Sequence, residues 1–391
     1  MKKLIFLIFL VLLNFNNFSQ TVQPLPIPIS FGSAEVWGDS IYYFGGSNNY
    51  SGSELYKRIY KYDGTSWSYY DTIPFNHVWS FSTSIKGDTV YVFCGWPSGA
   101  NKLYMYRISN KNWQALSSTP SNSGFSNYGQ TIEYYNGKIY AFYNGYVQIY
   151  DILTNSWSAG QTISSSGSWL ASTIYNNEIY LAGWSLGIFY KYNPQTNQWT
   201  QLQSLPSFRS GGSFRNIDNK LYYVGGYQTS GAGNFQTTFV YDPFANQWSN
   251  ASVNLSSKRA YMTDVLYKNK FYVLGGLDEL ANPVNIVEYI MDQTTGVEES
   301  PVVVDEFILE QNYPNPFNPS TTISFTLQAN QFVTLKVFNL IGEEVATLVN
   351  GNLTQGAHSI NFNASGLSSG FYLYRLESGS QVQVRKMMLL K

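Results

Sequence analysis

The stretch NKLYYVGG at residues 219 to 226 is followed fifty residues later by NKFYVLGG at residues 269 to 276. A chain that writes nearly the same eight residues twice is built from repeats, and the number of copies decides the fold. Six are found: DSIYYFGG, DTVYVFCG, GKIYAFYNG, NEIYLAGW, NKLYYVGG and NKFYVLGG. Their shared tyrosine falls at Tyr42, Tyr91, Tyr140, Tyr180, Tyr222 and Tyr272, at intervals of 49, 49, 40, 42 and 50 residues. Each copy follows a turn of Gly, Asn or Asp and continues as a β-branched or aromatic run, the pattern of a hairpin and its second strand.

A second landmark follows. Tyr106 precedes Trp113 by seven residues, as Tyr150 precedes Trp157, Tyr192 precedes Trp199 and Tyr241 precedes Trp248; Tyr62 precedes Trp67 by five. One unit therefore reads as four short antiparallel strands, and no helical periodicity runs between Thr21 and Asp292. Four strands in a repeat of this length is the spacing of a propeller blade. The glycine pair with Tyr and Trp at these distances resembles the Kelch repeat over all six units. Three pairs are intact (Gly45-Gly46, Gly225-Gly226, Gly275-Gly276) and three have drifted, to Cys94-Gly95, Tyr143-Asn144 and Gly183-Trp184. The expectation is an all-β, six-bladed Kelch-type β-propeller whose recurrent Tyr and Trp pack between blades.

The sixth unit is incomplete, because seven residues after Tyr289 stands Gly296 and not Trp. TVQPLPIP at residues 21 to 28 resembles QLQSLPSF at residues 201 to 208, a register that puts Ser19 in the tryptophan's place. The N-terminal segment is thus expected to supply the outer strand of the last blade and leave no open edge there.

The chain begins MKKLIFLIFLVLLNFNNFSQ, with Lys2 and Lys3 ahead of an apolar run from Leu4 to Leu13. That run is too short for a bilayer span, which takes about 20 residues, and reads as a secretory signal over residues 1–20. The propeller is assigned to 21–292 and an acidic, Pro-containing linker to 293–305. Alternating stretches over 306–391 read as a small β-sandwich. The opening Gln311-Asn312-Tyr313-Pro314-Asn315-Pro316-Phe317-Asn318-Pro319, with Gly342, Gly370 and Lys386 downstream, resembles the type A C-terminal sorting domain of the type IX secretion system. That resemblance implies an immunoglobulin-like fold and export across the outer membrane of a Gram-negative bacterium. It also implies partners in the type IX machinery and its sortase-like protease, and a final place on the cell surface or outside the cell.

Composition excludes several classes. The net charge is −1 with no basic cluster, which argues against a nucleic-acid partner. Cys94 is the only cysteine, and His77 and His358, the only histidines, fall in different domains, so neither a disulfide framework nor a metal cofactor is expected. Galactose oxidase also uses Kelch blades, but one propeller histidine cannot supply its copper ligands. No nucleophile elbow or phosphate loop is present, and no catalytic residue is assigned. A monomer without cofactors is expected.

Candidate ligand-binding residues come from the blade face. Thirteen residues before Tyr222 and Tyr272 stand Arg209 and Arg259, where the Kelch repeat commonly has Arg; the matching positions elsewhere are Ile29, Val78, Asn127 and Gly167. Two guanidinium groups on neighbouring blades suit a bidentate grip on a carboxylate; the alternative is that each ties its own surroundings together. His77, Trp79, Asn127, Tyr128 and Trp169 are placed on the same rim, with Trp96 and Trp184 at or just after the glycine-pair position, on the loop between second and third strands. These readings favour a secreted or surface binding module for a glycan or a protein. The alternatives are a Kelch-type sugar epimerase or mutarotase acting on an acidic sugar, with His77 or Glu133 moving protons, and a structural surface protein without a ligand.

Overall fold

The computed structural model describes residues 19–93, 95–97, 101–120, 129–163, 169–183, 187–228, 233–290, 307–327, 331–353, 356–379 and 381–391. Asn127, Tyr128 and Trp184 lie outside them, as do Cys94, Gly167 and nearly all of the signal and linker segments. Among the described residues there is no helix, and so none long and apolar enough to cross a membrane. The chain divides into two compact units, Met1–Thr295 and Gly296–Lys391.

The first unit has six four-stranded antiparallel sheets, five of them ordered from the inside outward as the chain runs, and a two-stranded ribbon of Tyr227–Gln228 and Gly233–Asn234. Blade one comprises Ser33–Trp37, Ser40–Phe44, Arg58–Tyr62 and Trp67–Thr72; blade five comprises Ser213–Ile217, Lys220–Val224, Thr238–Asp242 and Gln247–Asn250. Blade six takes three strands from its own repeat, and its outer strand is the N-terminal Gln20–Thr21, paired with Val287–Ile290. The pairs Gln20 with Tyr289 and Thr21 with Glu288 set Ser19 against Ile290. Ile290 pairs with Phe271 as Tyr241 pairs with Leu221, so Ile290, and not Tyr289, holds the place of the third-strand tyrosine.

The landmark residues explain themselves in packing. Every second strand is buried, and the apolar clusters lie between adjacent blades: Tyr42, Phe44, Val90 and Tyr106 meet across blades one and two. Each such ring or branched side chain contributes roughly 1.5–3 kcal/mol on burial. Three blades repeat one latch. Tyr150, Tyr192 and Tyr241 donate their hydroxyls to Asn155, Asn197 and Asn246, each five residues on, at 2.8, 2.6 and 2.7 Å. The same Asn oxygens accept the backbone N–H of Ser117, Gln161 and Gln203 in the preceding blade. Trp157, Trp199 and Trp248, two residues further, donate their indole N–H to the carbonyls of those same three residues. The Tyr-to-Trp spacing is thus a blade-to-blade fastener.

The glycine pair serves close approach. Gly276 donates its N–H to the carbonyl of Ile29 in the next blade at 3.0 Å, and a Cβ on Gly275, which has φ +62°, would fall 2.3 Å from that same oxygen. Only glycine fits there.

The second unit is a β-sandwich. Ile308–Leu309, Ser320–Leu327 and Gly356–Asn363 form one sheet; Glu344–Leu353, Gln331–Phe338, Gly370–Ser378 and Gln381–Leu389 form the other. Strand Ser320–Leu327 alternates strictly, burying Thr321, Ile323, Phe325 and Leu327. The core adds Leu335, Val337, Tyr374, Leu376 and Met387. Gly342, with φ +88°, turns the hairpin into Glu344–Leu353. The motif at the start of this unit is a structural knot. Buried Asn312 donates its side-chain N–H to Thr321 Oγ1 and to the Pro314 carbonyl, and its backbone N–H to the Tyr374 hydroxyl. Asn315 accepts from the Met388 N–H and Phe317 is buried, while Tyr313 beside them is exposed.

Candidate functional site

The arginines do not face the channel. Arg209 is 2% exposed and Arg259 is fully buried. Arg209 donates to the carbonyls of Gly225 and Thr237 and to the Ser207 and Thr237 hydroxyls, and its guanidinium lies 4.0 and 4.3 Å from the ring centroids of Phe235 and Phe239. Arg259 donates to the Gly275 and Ile286 carbonyls and forms a fully buried ion pair with Glu288. Each guanidinium is spent inside its own blade, because the strand end it meets offers carbonyls that need donors. A carboxylate-gripping pair at the channel mouth is therefore corrected to two blade ties. His77 is also inside: it stacks on Phe75 at 4.4 Å, its Nε2 is 3.1 Å from the Tyr104 hydroxyl, and burial, then Lys102, lowers its pKa. It does not line the central cavity that holds Glu133.

Two of the predicted rim residues do meet. Trp79 and Trp169 pack on Phe31 with centroids 4.7 and 5.5 Å away, and Tyr261 closes the group at 4.7 Å from Phe31. Trp96 is 38% exposed, and its N–H donates to the Trp79 carbonyl. The backbone beneath this aromatic cap has one rule. Eleven residues before each landmark tyrosine stand Phe31, Ser80, Gly129, Trp169, Gly211 and Tyr261, and all six have φ between 54° and 77°. Each passes a hydrogen bond around the ring. The N–H groups of Ser80, Trp169, Gly211, Tyr261 and Phe31 donate to the carbonyls of Phe31, Gly129, Trp169, Gly211 and Tyr261, and Gly129 N–H donates to Ser80 Oγ. Left-handed backbone at Phe, Trp and Tyr is uncommon; here the closed collar holds it.

Inside the collar lies a cavity of about 350 Å³, walled by the six inner strands. Seven residues before each landmark tyrosine, and paired with it across the hairpin, stand Glu35, Ser84, Glu133, Thr173, Arg215 and Val265. The three odd blades thus present Glu35, Glu133 and Arg215 at one level. Each is met by the next even blade from one position earlier: Thr83 donates to Glu35 at 2.7 Å, Ser172 donates to Glu133 at 2.8 Å, and Arg215 pairs with Asp264. The first two couples continue identically, with Ser33 2.7 Å from Thr83 and Thr131 2.6 Å from Ser172. A hydroxyl has one proton. Thr83 and Ser172 spend theirs on the glutamates, so Ser33 and Thr131 donate to them.

The electrostatics follow from three carboxylates facing one guanidinium. Burial pushes Glu35 up to about 7; Arg215 and the Thr83 hydrogen bond pull it back, and the charges of Glu133 and Asp264 push it further. Burial raises Glu133 in the same way, against Arg215 and Ser172. For Arg215 burial works against the charge, yet Asp264, Glu133 and Glu35 outweigh it and hold it protonated. Of this set the sequence reading had only Glu133. The signal for Glu35 and Arg215 was the fixed offset of seven residues from the landmark tyrosines, which carries a charge in three of six repeats; Asp264 falls one position outside it.

A family model described as a secretion system C-terminal sorting domain matches residues 311–390. Over the propeller, the chain is 24% identical across 202 residues to Kelch repeat-containing protein kel-10 of Caenorhabditis elegans, covering 47% of this chain and 35% of that protein. It is 28% identical across 159 residues to a Kelch domain-containing protein of Sulfurisphaera tokodaii, covering 37% and 21%. The propeller is a Kelch propeller, and a sorting domain follows it. Kelch-like protein 6 of Homo sapiens adds a match of 32% identity over 120 residues, 29% of this chain and 18% of that one. The chain spans no more than 35% of the length of these curated relatives. A solved structure, "Structure of YjhT", aligns with a TM-score of 0.57 at 15% identity, over 68% of this chain and 96% of that one, a likeness of fold.

Proposed function

We propose that this chain is an exported Kelch propeller, delivered to the cell surface or beyond by the type IX machinery through its sorting domain, and that its central channel binds a small hydroxylated ligand, a glycan. The observation that carries the reading is the convergence of Glu35, Glu133 and Arg215 from alternate blades on one cavity, each held by a partner from the next blade. Pre-oriented charged acceptors beside an aromatic cap favour a sugar ring over a protein surface, which a recess of this size would not admit. Three carboxylates against one guanidinium disfavour an acidic sugar. The test is a broad glycan array probed with the full-length protein and with a Glu35→Gln/Glu133→Gln variant of matched thermal stability. Binding that the variant loses supports the reading; equal binding by both proteins, or none by either, counts against it.

One observation favours a second reading, a sugar epimerase or mutarotase: Glu35, raised to about 7, shares a cavity with Glu133. A carboxyl group poised near neutrality beside a second one suits general acid–base transfer. Anomer interconversion followed by NMR, accelerated by the protein and slowed by Glu35→Gln, is the expected sign; an unchanged spontaneous rate sinks it.

A further inference from the structure

The cavity is short of acceptors' partners. In both hydroxyl couples every proton is committed inward, from Ser33 through Thr83 to Glu35 and from Thr131 through Ser172 to Glu133. Each glutamate is left with a second oxygen that accepts no hydrogen bond among the described residues, although Glu35 is only 8% exposed. Asp264 is in the same position, its Oδ1 engaged by Arg215. The cation of the wall is Arg215, whose Nε and Nη2 donate to Asp264 and whose side chain is 31% exposed; exposed Lys86 has its Nζ 5.7 Å from the Tyr134 ring centroid. The open carboxylate oxygens call for donors, and their excess over Arg215 favours a donor that carries positive charge; a hydroxyl can donate but brings no charge, and a further carboxylate would add only acceptors.

Length narrows the class. Four residues of chain, at most about 14 Å when fully extended, separate the collar at Phe31 from the level of Glu35, and the strand among them begins at Ser33. A ligand reaching from the aromatic cap to the carboxylates is longer than one sugar ring. Resting on the glycan reading above, we infer that the channel accepts a disaccharide-sized sugar bearing a free ammonium group, seated against Glu35 and Glu133, with its ring near Phe31, Trp169 and Tyr261.

Titration calorimetry on the full-length protein with three β-1,4-linked disaccharides of matched backbone tests this: di-glucosamine, cellobiose and N,N′-diacetylchitobiose. The amine is expected to bind about tenfold more tightly than either neutral sugar, the scale of one charge-assisted contact. Glu133→Gln should remove most of that preference, and added salt should shrink it. Binding should release protons and weaken as pH falls through about 7, because Glu35 must ionise to hold an ammonium against Glu133 and Asp264, with Arg215 opposing. Equal affinity for cellobiose, or preference for the acetylated sugar, overturns the ammonium inference while leaving a glycan site in the channel. If none of the three binds while the array variant still loses a glycan, the inference falls and the channel reading stands. If both experiments are silent, both fall.

Discussion

Thr83 of the second blade donates a 2.7 Å hydrogen bond to the carboxylate of Glu35 in the first, inside the channel and not at its mouth. The charge of Arg215 and this contact support Glu35 against the penalty of burial, and the penalty wins, pushing the carboxyl up to about 7.

Glu35 should therefore tilt the stability of the propeller with pH. Its folded value lies above the unfolded one, so the folded state binds the proton more tightly. Stability is full below about 4.5 and is lost as pH rises to about 7, by about 3 kcal/mol for this group. Denaturant unfolding of wild type and Glu35→Gln should show the variant gaining on wild type across that window; parallel pH profiles would refute the assignment.

Arg259 should matter for folding and not for ligand. Removing it leaves Glu288 buried and uncompensated, with Ser19 and the Ser256 N–H as its other partners. Arg259→Met should cost about 3–5 kcal/mol, and Arg259→Met with Glu288→Leu clearly less. A double variant no better than the single one would contradict the pairing.

The collar gives a backbone test. Gly211 has φ +61°, and a Cβ there would meet the Tyr261 ring at 2.7 Å. Gly211→Ala should lose about 1–2 kcal/mol from the left-handed backbone alone and displace Tyr261 from Phe31. A lower melting temperature with altered near-ultraviolet dichroism is expected; neither changing would mean the ring is not held as described.

In the sorting domain, Tyr374 bridges the Asn312 N–H and the Glu310 carbonyl with one hydroxyl, at 2.8 and 2.7 Å. Tyr374→Phe strands a buried N–H and should cost about 1–3 kcal/mol. Calorimetry should show the loss in the transition of the C-terminal unit while the propeller's transition holds.

Much of this was legible in the chain because propeller and sandwich are built from local strand pairing. Hairpin turns, alternation and the Tyr-to-Trp interval are short-range signals, and six copies average out the drift that spoils Cys94-Gly95. The closing role of the N-terminus was readable only as an analogy between residues 21–28 and 201–208. The site was mostly illegible. Arg209 and Arg259 stood out because charge is scarce in this sequence, yet their position places them against carbonyls that end a strand. Glu35, Arg215 and Asp264 are ordinary polar residues in alternating strands, and nothing local separates them from solvent-facing ones.

What the sequence by itself determined is the repeat, and through it the strands, turns and glycine contacts, since these depend on neighbours a few residues away and on copies of the same pattern. What only the tertiary structure decided is which side chains share a space. Closing six blades into a ring brings Glu35, Glu133 and Arg215, about a hundred residues apart in turn, to one level of a channel. There burial and mutual charge set their protonation, and those effects fall off with distance in space, not along the chain.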